Sequence, residues 1–148
     1  MPKQKTAPVL AASADEIEAG FYEALQSGDI DLLMACWADD DEVVCVHPGG
    51  PRLVGLSAIR ASFEALFANG TIQARPERIQ RVQLLGASLH SVVERIDVLT
   101  PQGPALAWVI ATNVYHHTAL GWRMVLHHAS PGTAEEAQGL QAPSAVLH

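Results

Sequence analysis

The feature that most constrains the fold is a change of hydrophobic period near residue 70. Before it, apolar residues recur at helical spacing. After it, TIQARPERIQRVQLLGASLHSVVERIDVLTPQGPALAWVIATNVYHHTALGWRMVLHHAS consists of β-branched and aromatic segments punctuated by Gly and Pro. Segments of that kind pack as strands of period two. The pattern predicts strands over 72–83, 88–99, 105–117 and 122–129. Pro101-Gln102-Gly103-Pro104 and Thr118-Ala119-Leu120-Gly121 have hairpin chemistry, so neighbouring strands are expected to run antiparallel.

The first half predicts helices with defined ends. Ser13 and Glu16 form a capping box ahead of Ile17, Phe21, Ala24 and Leu25, and Gly28 is placed to stop that helix. Asp29 can cap a second, carrying Ile30, Leu33, Met34 and Trp37 on one stripe. The acidic run Asp39-Asp40-Asp41-Glu42 closes it, as a solvated turn lacking the glycine and spaced ligands of a calcium loop. VVCVHP then reads as a short buried strand, and Ser57 opens a third helix with Ile59, Phe63, Leu66 and Phe67 inward, ended by Asn69-Gly70. Three helices followed by a meander define an α+β domain with its helices on one face of a curved sheet.

At 148 residues, 49% apolar and 17% charged, the chain is sized for one core and is too apolar to be disordered. The expected organisation is a tail over 1–12, a domain over 13–130 and a second tail over 131–148. A formal charge of −7 repels phosphate backbones and anionic lipid, so neither nucleic acid nor a membrane surface is an expected partner. The charge is divided: residues 6–51 hold ten acids and no Lys or Arg, while 52–123 hold seven Arg and four acids. Cys36 and Cys45 lack disulfide-framework or zinc spacing and read as small buried groups. Neither a signal-peptide core nor a membrane-length apolar run is evident, which gives a cytoplasmic expectation. Trp108, Ile110, Val114 and Val125 place apolar groups in the other phase of the last strands, so a second copy is expected to cover that sheet face in a homodimer.

Several strings together resemble the ketosteroid isomerase and SnoaL-like polyketide cyclase superfamily, also called nuclear transport factor 2-like. They are FYEALQSGDIDLLMACWADD, VCVHPGGPRLVGLSAIRASF and GWRMVLHHASP, within residues 13–130. The resemblance implies a cystatin-like, cone-shaped α+β barrel with an apolar pocket at its open end and dimerisation through the sheets. It also implies site positions. A general base is expected before a proline at the end of the first strand, where this chain has His47 before Pro48. Oxyanion donors are expected in the first helix, near Phe21 and Tyr22, and on the penultimate strand, near Asn113. The isomerase pattern has a carboxylate, a tyrosine and an aspartic acid at these places, and this chain departs from it at all three.

The residues support the same list on chemical grounds. An imidazole such as His47 can exchange a proton at neutral pH, and the Asn113 amide could donate to a developing oxyanion. Counting back from loop 118–121 pairs His117 with Trp122, Tyr115 with Met124, Asn113 with Leu126 and Ala111 with His128. That register puts His128 beside Asn113 in the pocket and His127 on the interface face. Adjacent strand residues point to opposite faces, so His116-His117 and His127-His128 do not make metal sites as pairs, and no metal or cofactor is expected. Phe21, Tyr22, Met34, Trp37, Phe63 and Tyr115 are candidates for the pocket wall, with plain core packing as the alternative for the apolar ones. Glu94 shares phase with His90, Val92 and Ile96 on an inward face, where a carboxyl would have a raised pKa; pairing at a sheet edge is the preferred alternative. The expected function is a small-molecule pocket protein doing cofactor-free isomerase, cyclase or dehydratase chemistry on a hydrophobic carbonyl compound. A non-catalytic ligand-binding or dimerisation module of the same fold is the alternative.

Overall fold

The computed structural model describes residues 13–135, and the segments 1–12 and 136–148 expected as tails lie outside them. The elements in chain order are α1 (Ala14–Ser27), α2 (Ile30–Ala35), β1 (Val44–Val46), β2 (Arg52–Val54), α3 (Leu56–Phe67), β3 (Ala74–Leu84), β4 (Ala87–Thr100), β5 (Gly103–Thr118) and β6 (Gly121–Pro131). The α+β class and all four long strands follow the sequence expectation. Within the described residues no helix is long and apolar enough to cross a membrane.

Local chemistry sets the helix ends. The Ser13 hydroxyl accepts from the Glu16 amide at 3.1 Å, Gly28 terminates α1 at φ 70°, and Asp29 accepts from the Leu32 amide at 3.0 Å. Two expected boundaries move. Gly55, at φ 95°, is the N-cap of α3 and makes no side-chain cap bond, so Ser57 lies inside the first turn instead of opening the helix. Trp37 lies beyond α2, because Ala38 donates to the Met124 carbonyl at 2.9 Å and Met124 to the Cys36 carbonyl at 2.7 Å. Those bonds draw the chain out of helical geometry and onto β6.

The six strands form one mixed sheet in the order β2-β1-β6-β5-β4-β3. β1 runs parallel to β6, and the other pairs are antiparallel. The sheet is open, with β2 and β3 as its edges, and it curves around the helices as the resemblance implies. β2 was not foreseen, since three residues are too few to show a period. Helices cover the inner face, where Ile17, Phe21, Leu33, Ile59, Phe63, Val92, Ala111, Tyr115 and Met124 are buried. Burial of about 1.5–3 kcal/mol worth of apolar surface per large side chain makes this layer the main favourable term.

Substituting Gly28 by Ala should destabilise the domain by about 1–2 kcal/mol, because an L-residue there adopts left-handed geometry and its Cβ would meet Thr71 Cγ2 at 3.1 Å. Urea unfolding should show a lower midpoint with an unchanged slope.

Candidate functional site

The inner face carries a polar network in an otherwise apolar layer. Its hub is Glu18, 3% exposed, which α1 presents on the same side as Tyr22 one turn later. Tyr115 Oη donates to Glu18 Oε2 at 2.7 Å, and Asn113 Nδ2 donates to the same oxygen at 3.1 Å. His90 Nδ1 lies 2.9 Å from Oε1. Two of these donors come from β5 and one from β4. A second carboxyl, Glu94, is 4% exposed and accepts from Tyr22 Oη at 2.5 Å. Tyr22 Oη in turn accepts from Asn113 Nδ2 at 3.1 Å, so the amide ties the two acids together. On its other side Asn113 Oδ1 lies 2.6 Å from His127 Nδ1, which therefore carries the proton.

Burial, then the charge of Glu18, pushes the Glu94 carboxyl up to about 7, against the lowering effect of the Tyr22 hydrogen bond. Burial raises Tyr22 and Tyr115 well above their ordinary value, with nearby carboxylates adding to the shift. His127 is pushed down to about 3, first by burial and then by His47 and His128, so it stays neutral near pH 7. Burial also raises Cys36 and Cys45 to about 12, which keeps both as thiols.

The candidate residues separate into three groups. Asn113, Tyr22 and Tyr115 belong to the network. Phe21, Phe63 and His47 form an aromatic path leading from it: Phe21 lies 4.9 Å from the His127 ring and 6.2 Å from Phe63, and Phe63 lies 4.8 Å from His47. His47 is half-buried, its pKa lowered by burial, and makes no hydrogen bond to Asn113. Its Nε2 lies 3.0 Å from Ser62 Oγ, whose own proton goes to the Ile59 carbonyl at 2.8 Å, so His47 Nε2 is the donor. Met34 packs partly buried against the core, and Trp37 is buried with an indole Nε1 that has no hydrogen-bond partner among the described residues.

His128 is the correction. β5 and β6 hold the expected register from His117 opposite Trp122 to Tyr115 opposite Met124, then shift by one, so that Val114 faces Leu126 and Asn113 faces His127. Val125 is the extra residue of a β-bulge, and a one-residue slip exchanges the faces of everything beyond it. His127 is consequently buried in the network, while His128 is exposed and opposite Thr112.

Glu18, His90 and Ser88 carry chemistry that the sequence reading did not assign. The available signal was helical spacing: Glu18, Tyr22 and Leu25 at i, i+4 and i+7 share one side of α1. Asp15, Glu18 and His90 bring potential metal-ligating atoms within 4.8 Å of one another. Glu18 meets Nδ1 of the ring, whereas Asp15 stands 4.0 Å from Nε2, so the two carboxylates approach opposite edges of one imidazole. This is poor geometry for one ion shared by all three.

Set beside known proteins, residues 15–134 match the SnoaL-like domain, and the chain belongs to that family. A solved structure from Thiobacillus denitrificans, described provisionally as a calcium/calmodulin-dependent protein kinase type II association domain, is 34% identical with a TM-score of 0.75, covering 82% of this chain and 97% of its own. Another from Streptomyces avermitilis, described provisionally as a dehydratase of the NTF2-like family, is 31% identical with a TM-score of 0.71, covering 80% and 93%. A Caulobacter vibrioides protein of cystatin-like fold, at 15% identity, a TM-score of 0.71 and coverage of 84% and 90%, shares the fold alone. No curated protein matches the chain.

The shifted groups predict an uncommon pH dependence. Between the ordinary value of 4.5 and about 7, native Glu94 holds a proton that the unfolded chain has released, so its contribution to stability falls as pH rises. Between about 3 and 6.5 the unfolded chain binds a proton that native His127 refuses, so that contribution rises with pH. The two oppose each other where the windows overlap. Glu94→Gln should unmask the rising arm: its stability relative to the parent should improve by on the order of 2–3 kcal/mol from pH 4.5 to above 7. Chemical unfolding across that range is the check.

Proposed function

We propose that this chain is a small-molecule protein performing cofactor-free acid–base chemistry, as an isomerase, cyclase or dehydratase, on a hydrophobic carbonyl compound. The observation that carries the reading is the Glu94 carboxyl, which is buried, hydrogen-bonded to Tyr22 and raised to about 7. A group of that kind exchanges its proton close to neutral pH, where proton transfer is most effective. Beside it, Glu18 accepts hydrogen bonds from Asn113 and Tyr115, a quite different environment for a second carboxyl. Divergent environments for neighbouring acids are a recurring mark of acid–base sites.

In this mechanism Glu94 takes the proton beside the substrate carbonyl and returns it at the product position. For the oxygen that gains charge, Tyr22 Oη turns from Glu94 and Asn113 Nδ2 from Tyr22 to donate to it, and Phe21 and Phe63, with Met34 and Trp37 beyond them, supply apolar wall. His47 stands at the outer end of the aromatic path as a second proton acceptor. The dehydratase description of the Streptomyces relative favours proton-transfer chemistry of this class.

The test is deuterium incorporation. Hydrophobic ketones that raise the melting temperature should gain deuterium at the α-carbon when incubated with the protein in D2O near neutral pD, and Glu94→Gln should slow this by about 10²–10⁴-fold. Equal exchange by the variant would contradict the assignment, as would exchange by neither protein.

A second reading, self-association, has its own observation. Across all six strands the outer face carries one register-aligned apolar row: Val54, Val44, Leu126, Val114, Leu89 and Val82. Val54 and Val82 are 49% and 51% exposed. A second copy packing face to face would cover the row, and the name of the Thiobacillus relative, an association domain, points the same way. Val114→Arg should shift the sedimentation of a dimer to that of a monomer; a parent protein already monomeric at micromolar concentration would contradict this reading.

A further inference from the structure

Ser88, His90 and Glu18 make a buried hydrogen-bonded line along the inner face of the sheet. Ser88 Oγ lies 3.0 Å from His90 Nε2, and His90 Nδ1 lies 2.9 Å from Glu18 Oε1. Ser88 and His90 are two residues apart on β4, so they share its inner face. The carboxylate can only accept, which places a proton on Nδ1 and turns the Nε2 lone pair toward the serine hydroxyl. Glu18 is itself fixed by Tyr115 and Asn113. This is the order of groups by which a serine is activated: hydroxyl, imidazole, orienting carboxylate.

The line also ends where a substrate could meet it. Ser88 borders a surface cleft of about 270 Å³, together with Ser13, Ala14, Leu84, Ala87 and Trp122. Ser13 and Ala14, the N-cap and first residue of α1, form the opposite wall of the cleft, the Ser13 hydroxyl being held by the Glu16 amide at 3.1 Å. Leu84, Ala87 and Trp122 supply apolar surface for a short acyl group.

We propose that Ser88 is the nucleophile of a second active centre, a Ser88–His90–Glu18 triad that hydrolyses small carboxylic esters. Ser88 Oγ bonds to the ester carbonyl carbon while its proton passes to His90 Nε2. The carbon–oxygen bond to the alcohol then breaks, and the alcohol leaves with that proton. Water, the second substrate, attacks the acyl group and gives a proton to Nε2; the acyl–Oγ bond breaks, Ser88 recovers the proton, and the carboxylic acid departs. Ser88 and His90 are the catalytic residues, and Glu18 positions the imidazole. The inference is independent of the acid–base role given to Glu94.

The experiment uses the intact chain with diisopropyl fluorophosphate, in which Ser88 Oγ bonds to phosphorus and fluoride leaves, and with p-nitrophenyl acetate. The expected result is one phosphoryl adduct, mapped by peptide mass spectrometry to Ser88, and a burst of p-nitrophenol approaching one equivalent. Ser88→Ala should abolish both while the protein stays folded. His90→Gln should slow labelling by about 10²–10⁴-fold. The charged and titratable groups facing His90 are Glu18, Tyr115, whose ring lies 4.9 Å away, and Asp15, which Arg81 holds at 2.9 Å. Removing the carboxylate charge with Glu18→Gln should therefore move the inflection of the labelling rate to lower pH, which a merely structural role would not do. A folded parent protein that takes no adduct at Ser88 overturns the proposal, as does undiminished labelling of His90→Gln. An inflection unmoved in Glu18→Gln overturns the positioning role.

Discussion

The structure depends on how it settles one buried carboxylate. Glu18 lies in an apolar layer where an unpaired charge would cost several kcal/mol, and what makes its burial tolerable is Tyr115, Asn113 and His90 converging on its two oxygens. Those partners lie on two adjacent strands, β4 and β5, so the same bonds fix how α1 sits on the sheet. A shift of the helix would break several of them at once. Networks of this type behave as units, being strong when every member is satisfied and costly when one is lost.

The chemistry of the interior follows from that arrangement. Once Glu18 is held by three donors, the neighbouring Glu94 feels both burial and a nearby negative charge, and its proton is retained up to about 7. Asn113 distributes the effect: one amide donates toward Glu18 and Tyr22 and accepts from His127. His90 transmits it the other way, toward Ser88 and the cleft at the start of α1. A single hub thus connects the proton-exchanging centre of the core with the serine at its edge.

What the sequence made legible was whatever depends on neighbours along the chain. The Ser13 cap, the Gly28 stop, the Asp29 cap and the antiparallel hairpins all follow from local spacing, and the register close to loop 118–121 could be counted residue by residue. The count failed at Val125, because a bulge adds one residue without altering composition, and every later residue of β6 changes face. His127 and His128 exchanged roles for that reason alone. Glu18 was illegible for another: an acid beside an apolar helical stripe is ordinarily solvated, and its three partners lie between 72 and 97 positions away. Glu94 shares the phase of an inward face, but the edge pairing preferred for it from sequence is overturned: it is buried and held by Tyr22, a partner visible only once α1 and β4 are packed together.

The central claim is that burial beside the hub raises the Glu94 carboxyl to about 7, so that it exchanges its proton near neutral pH. Carboxyl 13C chemical shifts of glutamate-labelled protein, followed from pH 4 to 9, measure this directly. The account predicts one buried glutamate titrating near 7, with its signal assigned to Glu94 by the Glu94→Gln variant. A Glu94 resonance that titrates with the surface glutamates, near the ordinary 4.5, would contradict it.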